Sequence, residues 1–187
     1  MDHGIGALVR HTNRYKWAMR HLRPEWNVLD VACGSGYGGF ILLNTCKAVS
    51  GMDKDHVAIA YALTKANKHD ALNRLRYVCG DMRHDLTMRF GISEFDAVVS
   101  IETIEHITES DQNLFIDQVR MVLKPGGIFF VTTPLKADIK RTLFHEHEFD
   151  DDEFKDFLLK RFEKVDFDDP EANGIPKQFM LARCSWA

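Results

Sequence analysis

Residues 28–39 read VLDVACGSGYGG, a short apolar run that leads directly into a glycine-rich turn. Gly34, Gly36 and Gly39 satisfy the pattern G-x-G-x-x-G, and glycine lets the backbone pass close to a ligand. A helix that begins after such a turn presents free backbone N–H groups at its N-terminus. The stretch therefore predicts a strand–turn–helix unit that binds a nucleotide-containing ligand, a pattern that dinucleotide-binding enzymes share.

Strand-like and helical stretches alternate along the chain around this unit. The β-prone runs are residues 28–33, 48–53, 76–80, 95–101 and 128–133. Residues 111–123 and 151–163 carry apolar side chains at helical spacing. Because strands that alternate with helices form right-handed parallel crossovers, the pattern predicts an α/β fold with a Rossmann-like, doubly wound sheet and helices on both faces.

The end of the chain departs from this alternation. Residues 163–169 and 178–186 read as two strands, and the loop between them contains Pro170, Gly174 and Pro176. Two strands without an intervening helix predict an antiparallel hairpin. The expected sheet is therefore mixed and seven-stranded, with five parallel strands and a C-terminal hairpin.

Composition limits the class of protein. The chain has 187 residues, of which 45% are hydrophobic and 28% charged, and these values predict a single globular domain over 1–187. Within it we expect a lead-in helix or substrate lid at 1–24 and a core at 25–187. A formal charge of -4 argues against broad nucleic-acid binding, although an end of a nucleic acid stays open as a partner. Without a signal-like or membrane-spanning apolar run, we expect a cytoplasmic protein with no membrane partner.

Three aspartates lie in or next to the carboxyl-terminal halves of the first three predicted strands. Asp30 lies four residues before Gly34, where a carboxylate repels a pyrophosphate but attracts an ammonium group. Asp53 lies nineteen residues after Gly34 and suits two ribose hydroxyls. Asp81 follows the third strand, where a carboxylate can accept an amino N–H of adenine. Together they indicate a ligand with an ammonium group, a ribose and an adenine.

These features, with LKPGG at 123–127 and the final hairpin, closely resemble class I S-adenosylmethionine-dependent methyltransferases over nearly the whole chain. The resemblance implies S-adenosyl-L-methionine as cofactor, with Asp30, Gly34 and Gly36 along its methionine part. It places Asp53 at the ribose, and Asp81 with the backbone of Met82 at the adenine. Further cofactor contacts are implied for Tyr15, Ala32, Lys54 and Ser100. Lys54 stands where the family usually has an apolar residue, and its aliphatic stem can cover the adenine ring.

The segment after the fourth strand, SIETIEHI at 100–107, carries the candidate catalytic residues. If a helical turn begins near Glu102, then Glu102, Glu105 and His106 fall at i, i+3 and i+4 and share one face. Two carboxylates and an imidazole form part of a coordination shell for Mg, Mn or Zn.

The pattern E-x-x-E-H is similar to one in ubiquinone-pathway O-methyltransferases and in small-RNA 3′-terminal 2′-O-methyltransferases. In those enzymes the three residues bind a metal that engages adjacent hydroxyls, and a further histidine completes the site in the RNA enzymes. Here His145 matches that histidine by its distance to Phe154, with His147 as the alternative. The resemblance therefore implies Glu102, Glu105 and His106 as catalytic residues, and these three with His145 as metal ligands.

The sequence thus predicts O-methylation of a hydroxyl-bearing small molecule or of a sugar- or ribose-containing substrate. The acceptor pocket is expected from residues 1–24, 102–108 and 134–150. Three alternatives stay open: a metal-independent N- or O-methyltransferase with His106 as base, a non-catalytic S-adenosylmethionine-binding module, and an NAD-dependent oxidoreductase. In the metal-independent case Glu102 and Glu105 are solvated.

Overall fold

The computed structural model describes residues 3–69, 71–136 and 144–186, and side chains from residue 11 onward. It contains one seven-stranded sheet whose strands, in chain order, are β1 (Asn27–Val31), β2 (Ala48–Asp53), β3 (Leu75–Cys79), β4 (Phe95–Ile101), β5 (Leu123–Pro134), β6 (Lys164–Asp168) and β7 (Phe179–Ser185). The helices are α1 (His3–Met19), α2 (Tyr37–Leu42), α3 (His56–Lys68), α4 (Leu86–Phe90), α5 (Glu109–Val122) and α6 (Asp151–Leu159). Two short 3₁₀ turns cover Ile104–His106 and Glu171–Asn173.

The sheet has the strand order β3-β2-β1-β4-β5-β7-β6. The first five strands pair in parallel, and β7 pairs antiparallel with both β5 and β6. The predicted mixed sheet with its C-terminal hairpin is confirmed. The chain moves outward from β1 on one side and then returns to build β4 and β5 on the other, so a crevice opens beyond the carboxyl ends of β1 and β4.

Two element boundaries differ from the sequence prediction by more than a residue or two. β5 begins at Leu123 rather than 128, because Leu123 pairs with Phe95 before an irregularity shifts the register, and Gly126 absorbs a backbone φ of 73°. α6 ends at Leu159 rather than 163. Its predicted apolar residue Phe162 still enters the core from the following turn and stacks on Phe129 at a ring distance of 5.9 Å.

Side-chain caps explain where three helices start. Asp55 accepts N–H groups of Val57 and Ala58 at the start of α3, and Thr108 accepts the N–H of Asp111 at the start of α5. Asp150 and Glu153 form a reciprocal capping box at α6. These caps set the helices directly after the strand tips and loops that border the crevice.

The sheet separates two apolar cores. Phe129 packs with Phe115 and Val119 on one face, whereas its neighbour Phe130 points to the other face and meets Trp17 of α1 at a ring distance of 5.6 Å. Both phenylalanines are fully buried. Among the helices that the structure describes, none has the length and apolar character needed to cross a bilayer.

Candidate functional site

A cleft of about 780 Å³ lies at the carboxyl ends of the parallel strands. Its wall includes nine predicted site residues: Tyr15, Ala32, Gly34, Asp53, Lys54, Asp81, Met82, Glu102 and His106. Five further predicted residues do not line it: Asp30, Gly36, Ser100, Glu105 and His145. Of the segments expected to form the acceptor pocket, residues 1–2 and 137–143 lie outside the described part of the chain.

Asp30 is fully buried at the end of β1, behind the cleft wall. The Tyr15 hydroxyl donates to Asp30 Oδ1 at 3.1 Å, and Oδ2 has no hydrogen-bond partner among the described residues. Burial raises the pKa of this carboxyl to about 8; the Tyr15 hydrogen bond opposes that rise, and the nearby Asp53 adds to it. A buried carboxyl with one unused oxygen is suited to a cationic partner.

The glycine turn is tied to the tip of β2. The Gly34 N–H donates to Asp53 Oδ2 at 2.8 Å, and the Asp55 N–H donates to Asp53 Oδ1 at 2.9 Å. Gly34 has a φ of 52°, and a Cβ placed on it would meet nothing within 4 Å, so the turn leaves open space above the backbone. Asp53 retains acceptor positions beside that space, because a carboxylate accepts about four hydrogen bonds.

Gly36 and Ser100 are packed behind the wall of the cleft. A Cβ on Gly36 would lie 2.8 Å from the Tyr77 ring, and the Tyr77 hydroxyl donates to the Gly36 carbonyl at 2.8 Å. Ser100 is fully buried in β4. Both residues therefore lie behind the surface that a ligand in the cleft would touch.

Asp81, after β3, is held by an arginine that the sequence analysis did not single out. Arg83 donates through Nε to Asp81 Oδ1 at 2.9 Å and through Nη2 to Oδ2 at 2.5 Å. These hydrogen bonds lower the pKa of Asp81 to about 2. Arg83 also reaches Asp111 of α5 at 2.9 Å. The spacing Asp81-x-Arg83 after a strand tip was the available signal.

Glu102 does not share a helical face with Glu105 and His106, which corrects the sequence prediction. Its φ of 50° puts it in the left-handed region, before the 3₁₀ turn of Ile104–His106, so no continuous helix joins the three residues. Its carboxylate instead forms an ion pair with Arg14 of α1, which is buried. Arg14 also stacks 3.9 Å from the ring centre of Phe179.

Glu105, His106 and His145 come together. One candidate ligand atom from each lies within 4.8 Å of the others. Glu105 is 1% exposed, and its burial raises the pKa of its carboxyl to about 7, partly offset by hydrogen bonds that include one from Thr133 Oγ1. The alternative histidine, His147, lies instead between Glu109 and Glu153, at 3.2 and 3.0 Å.

Hydrogen bonds orient both histidines of this cluster. His106 Nδ1 lies 2.8 Å from the Phe144 carbonyl, and His145 Nδ1 lies 2.7 Å from Glu148 Oε1. A carbonyl or carboxylate oxygen only accepts, so the contacts assign a proton to each Nδ1, and in the neutral imidazole each Nε2 then presents a lone pair. This is the arrangement in which metal-binding histidines are usually held.

The sequence analysis did not single out three further wall residues, although two of them, His11 and Phe144, lie in the segments 1–24 and 134–150 that it expected to form the acceptor pocket. His11 of α1 contacts the Tyr37 hydroxyl, and burial together with Arg14 lowers the pKa of His11 to about 4. Phe144 lies at the mouth and is 77% exposed. These residues come from three distant segments of the chain, and they come together at the cleft only in the folded structure.

Comparison with known proteins agrees with this geometry. Residues 28–127 match the methyltransferase domain family. A probable S-adenosylmethionine-dependent methyltransferase of Mycolicibacterium smegmatis is 30% identical over 157 residues, which are 80% of this chain and 56% of that protein. A sterol 24-C-methyltransferase of Gibberella zeae is 34% identical over 134 residues, 71% of this chain and 34% of that protein.

The chain thus spans about half or less of the length of these two relatives. A solved protein of Pyrococcus horikoshii has the same fold, with a TM-score of 0.75 at 20% identity, over 97% of this chain and 91% of the other. The family match covers more than half of the chain, and it includes the glycine turn, Asp53 and Asp81. The chain therefore belongs to the class I S-adenosylmethionine-dependent methyltransferase family.

Proposed function

We propose that the protein transfers a methyl group from S-adenosylmethionine to a hydroxyl oxygen of a small molecule or of a sugar- or ribose-containing substrate. The observation that carries this proposal is that Asp53 and Asp81 line one cleft at the tips of β2 and β3, while Asp30 of β1 lies buried behind the wall of the same cleft. The family match supports the methyl donor. The hydroxyl acceptor rests on the cluster of Glu105, His106 and His145.

The residues of the cleft fit the methyl donor along its length. The unused Oδ2 of Asp30 suits the ammonium group, and the open space above Gly34 suits a chain that passes close to the backbone. Asp53 has acceptor positions left for ribose hydroxyls, and ionised Asp81 suits an adenine amino group. Exposed Lys54 lines the same wall and offers its aliphatic stem to the ring.

We further propose a divalent metal held by Glu105, His106 and His145. The two Nε2 lone pairs and the buried carboxylate make a donor set that suits Zn or Mn, and Mg less well. A bound metal lowers the pKa of a coordinated hydroxyl. Glu102 is left out of this set, because Arg14 already neutralises it.

The side chains also support the reaction by alignment and proton transfer. Displacement at a sulfonium methyl requires the attacking oxygen in line with the carbon, so positioning is the main task of the cleft. His106 is 42% exposed and lines the cleft, so its Nε2 can accept a proton from the acceptor hydroxyl. The exposure of His106 in the cleft supports a second candidate function. In it a metal-independent methyltransferase uses His106 as the base and acts on oxygen or nitrogen.

Calorimetric titration with S-adenosylhomocysteine and with NAD tests the proposal. We expect the first to bind and the second not to bind. Asp53→Ala should weaken the binding of S-adenosylhomocysteine by about 1–3 kcal/mol, through hydrogen bonds lost to a charged acceptor. Binding of NAD alone would end the proposal. Binding without methyl transfer to any hydroxyl or amine in an acceptor panel would indicate a non-catalytic binding module.

A further inference from the structure

Arg83 joins two carboxylates on the wall of the cleft. Besides the side-chain bonds through Nε and Nη2, its backbone N–H donates to Asp81 Oδ1 at 3.0 Å. Its Nη1 donates to Asp111 Oδ2 at 2.9 Å, in the first turn of α5. The guanidinium is therefore fixed from both ends, between the tip of β3 and α5. All three residues line the cleft.

This arrangement leaves Asp81 with little freedom. Three N–H groups of Arg83 use three of the roughly four acceptor positions of a carboxylate, and the Nε–H is shared between Oδ1 at 2.9 Å and Oδ2 at 3.1 Å. The Asp81 N–H donates to Asp85 Oδ2 at 2.8 Å, which fixes the turn beneath it. The carboxylate is ionised at neutral pH, so the remaining position can accept a hydrogen bond and cannot donate one.

A carboxylate held in this way distinguishes ring substituents by their polarity. An exocyclic amino group satisfies the remaining position, whereas a carbonyl oxygen at the same place meets a negative charge without a proton between them. A mobile carboxylate would turn toward water and avoid that repulsion. Discrimination therefore depends on how firmly the carboxylate is held.

We propose that Arg83 is a positioning residue that sets the base specificity of the cleft, holding Asp81 so that it accepts an amino N–H and rejects a carbonyl oxygen. The inference rests on the proposed binding of S-adenosylmethionine. Arg83 itself makes no contact with the reacting methyl group in this scheme. It acts through Asp81.

The test compares the dissociation constants of S-adenosylhomocysteine and S-inosylhomocysteine, which differ at the substituent on the base. We expect native protein to prefer the adenosyl compound by at least about tenfold, and Arg83→Gln to reduce that preference to about threefold or less. Asp111→Asn frees one end of the guanidinium and should give an intermediate preference. Arg83→Lys should restore part of it. Arg120→Gln is the control, because Arg120 stacks on Trp186 outside the cleft.

The ratio of the two constants separates positioning from a merely structural role. A general loss of fold would weaken both ligands equally and leave the ratio unchanged. In turnover assays Arg83→Gln should raise the KM for the methyl donor with little change in kcat. An unchanged ratio in Arg83→Gln, or tighter binding of the adenosyl compound, would overturn the inference alone. If native protein binds neither compound, both the inference and the proposed function fail.

Discussion

Asp30 shows how burial and ligand binding compete at a single carboxyl. Its pKa of about 8 in the unliganded fold means that the folded chain keeps a proton which the unfolded chain, with a pKa of about 4, loses. Its stabilising effect is therefore present at low pH and is lost as the pH rises toward 8. A bound ammonium group would favour the ionised form and reverse this preference.

We expect the free energy of unfolding of the unliganded protein to fall between pH 5 and pH 8, by at most about 1.4 kcal/mol per pH unit from this group. Asp30→Asn should flatten that dependence. Because the ammonium group favours the ionised carboxyl, we expect the affinity of the native protein for S-adenosylhomocysteine to rise over the same pH range. Asp30→Asn should remove that rise. Urea unfolding and calorimetry at several pH values measure both. Asp156→Asn, exposed on α6, is the control. A pH dependence that survives in Asp30→Asn would contradict the assignment.

His145 and His147 offer a matched pair for the metal proposal. Both are mostly buried, but His145 lies with Glu105 and His106, whereas His147 is flanked by the carboxylates of Glu109 and Glu153. His145→Ala should weaken Zn or Mn binding at least about tenfold, and His147→Ala should leave it within about twofold. Calorimetric titration with each metal measures the difference. Methyl transfer that persists after complete chelation would leave His106 as the base and refute the metal.

At the level of elements, α1 and α2 meet at a glycine. Gly38 lies in α2, and a Cβ placed on it would approach the ring of Tyr15 to 2.2 Å. The Tyr15 ring is almost fully buried and its hydroxyl holds Asp30. The contact between the two helices therefore also sets the position of Asp30, the carboxylate proposed to bind the ammonium group.

Gly38→Ala should destabilise the fold by about 1–3 kcal/mol through overpacking, despite the better helix propensity of alanine. It should also displace Tyr15 and weaken S-adenosylhomocysteine binding. Tyr15→Ala removes the obstacle, so the double variant should lose less than the sum of the two single changes. Urea denaturation of the four proteins measures the coupling. Additive losses would show that Gly38 and Tyr15 do not interact.

The five parallel strands and the C-terminal hairpin were predictable, because each strand is a short β-prone run bounded by a helical stretch or a turn-forming segment. The side-chain pairings were not. Arg83 meets Asp111 across 28 positions of sequence. Arg14 meets Glu102 from the segment 1–24 that was expected to border the pocket, but no local pattern pairs these two residues. The helical spacing of Glu102, Glu105 and His106 failed for a backbone reason, since one residue with a positive φ changes the direction of the chain.

In the molecule as a whole, the two cores share the same sheet. Phe129 and Phe130 are adjacent on β5, both fully buried, and each belongs to a different core. Five strands, β1, β2, β4, β5 and β7, place buried side chains in both cores, so we expect neither core to open while the sheet remains intact. The two faces should therefore unfold together.

Phe129→Ala and Phe130→Ala should each cost about 3–5 kcal/mol, and each should keep a single unfolding transition. Far-UV circular dichroism and tryptophan fluorescence should give coincident midpoints, since Trp17 packs on the Phe130 side and Trp186 against Phe162 on the other. Separate midpoints for the two probes would show that one core can open alone. Leu159→Ala, at an exposed position of α6, is the control.

The docking of α1 on the C-terminal hairpin has a consequence for folding during synthesis. Trp17 Nε1 donates to Asp168 at 2.9 Å, Arg20 reaches Asn173 at 2.8 Å, and Arg183 of β7 anchors the same Asp168 at 2.7 Å. Asp168 belongs to β6 and Asn173 to the turn before β7, so α1 makes these two contacts only after the five parallel strands have been synthesised, whereas its contacts with Asp30 and Gly38 need only β1 and α2. His11 and Tyr15 line the cleft from the same helix, so we expect this wall of the pocket to become fixed late in the synthesis of the domain.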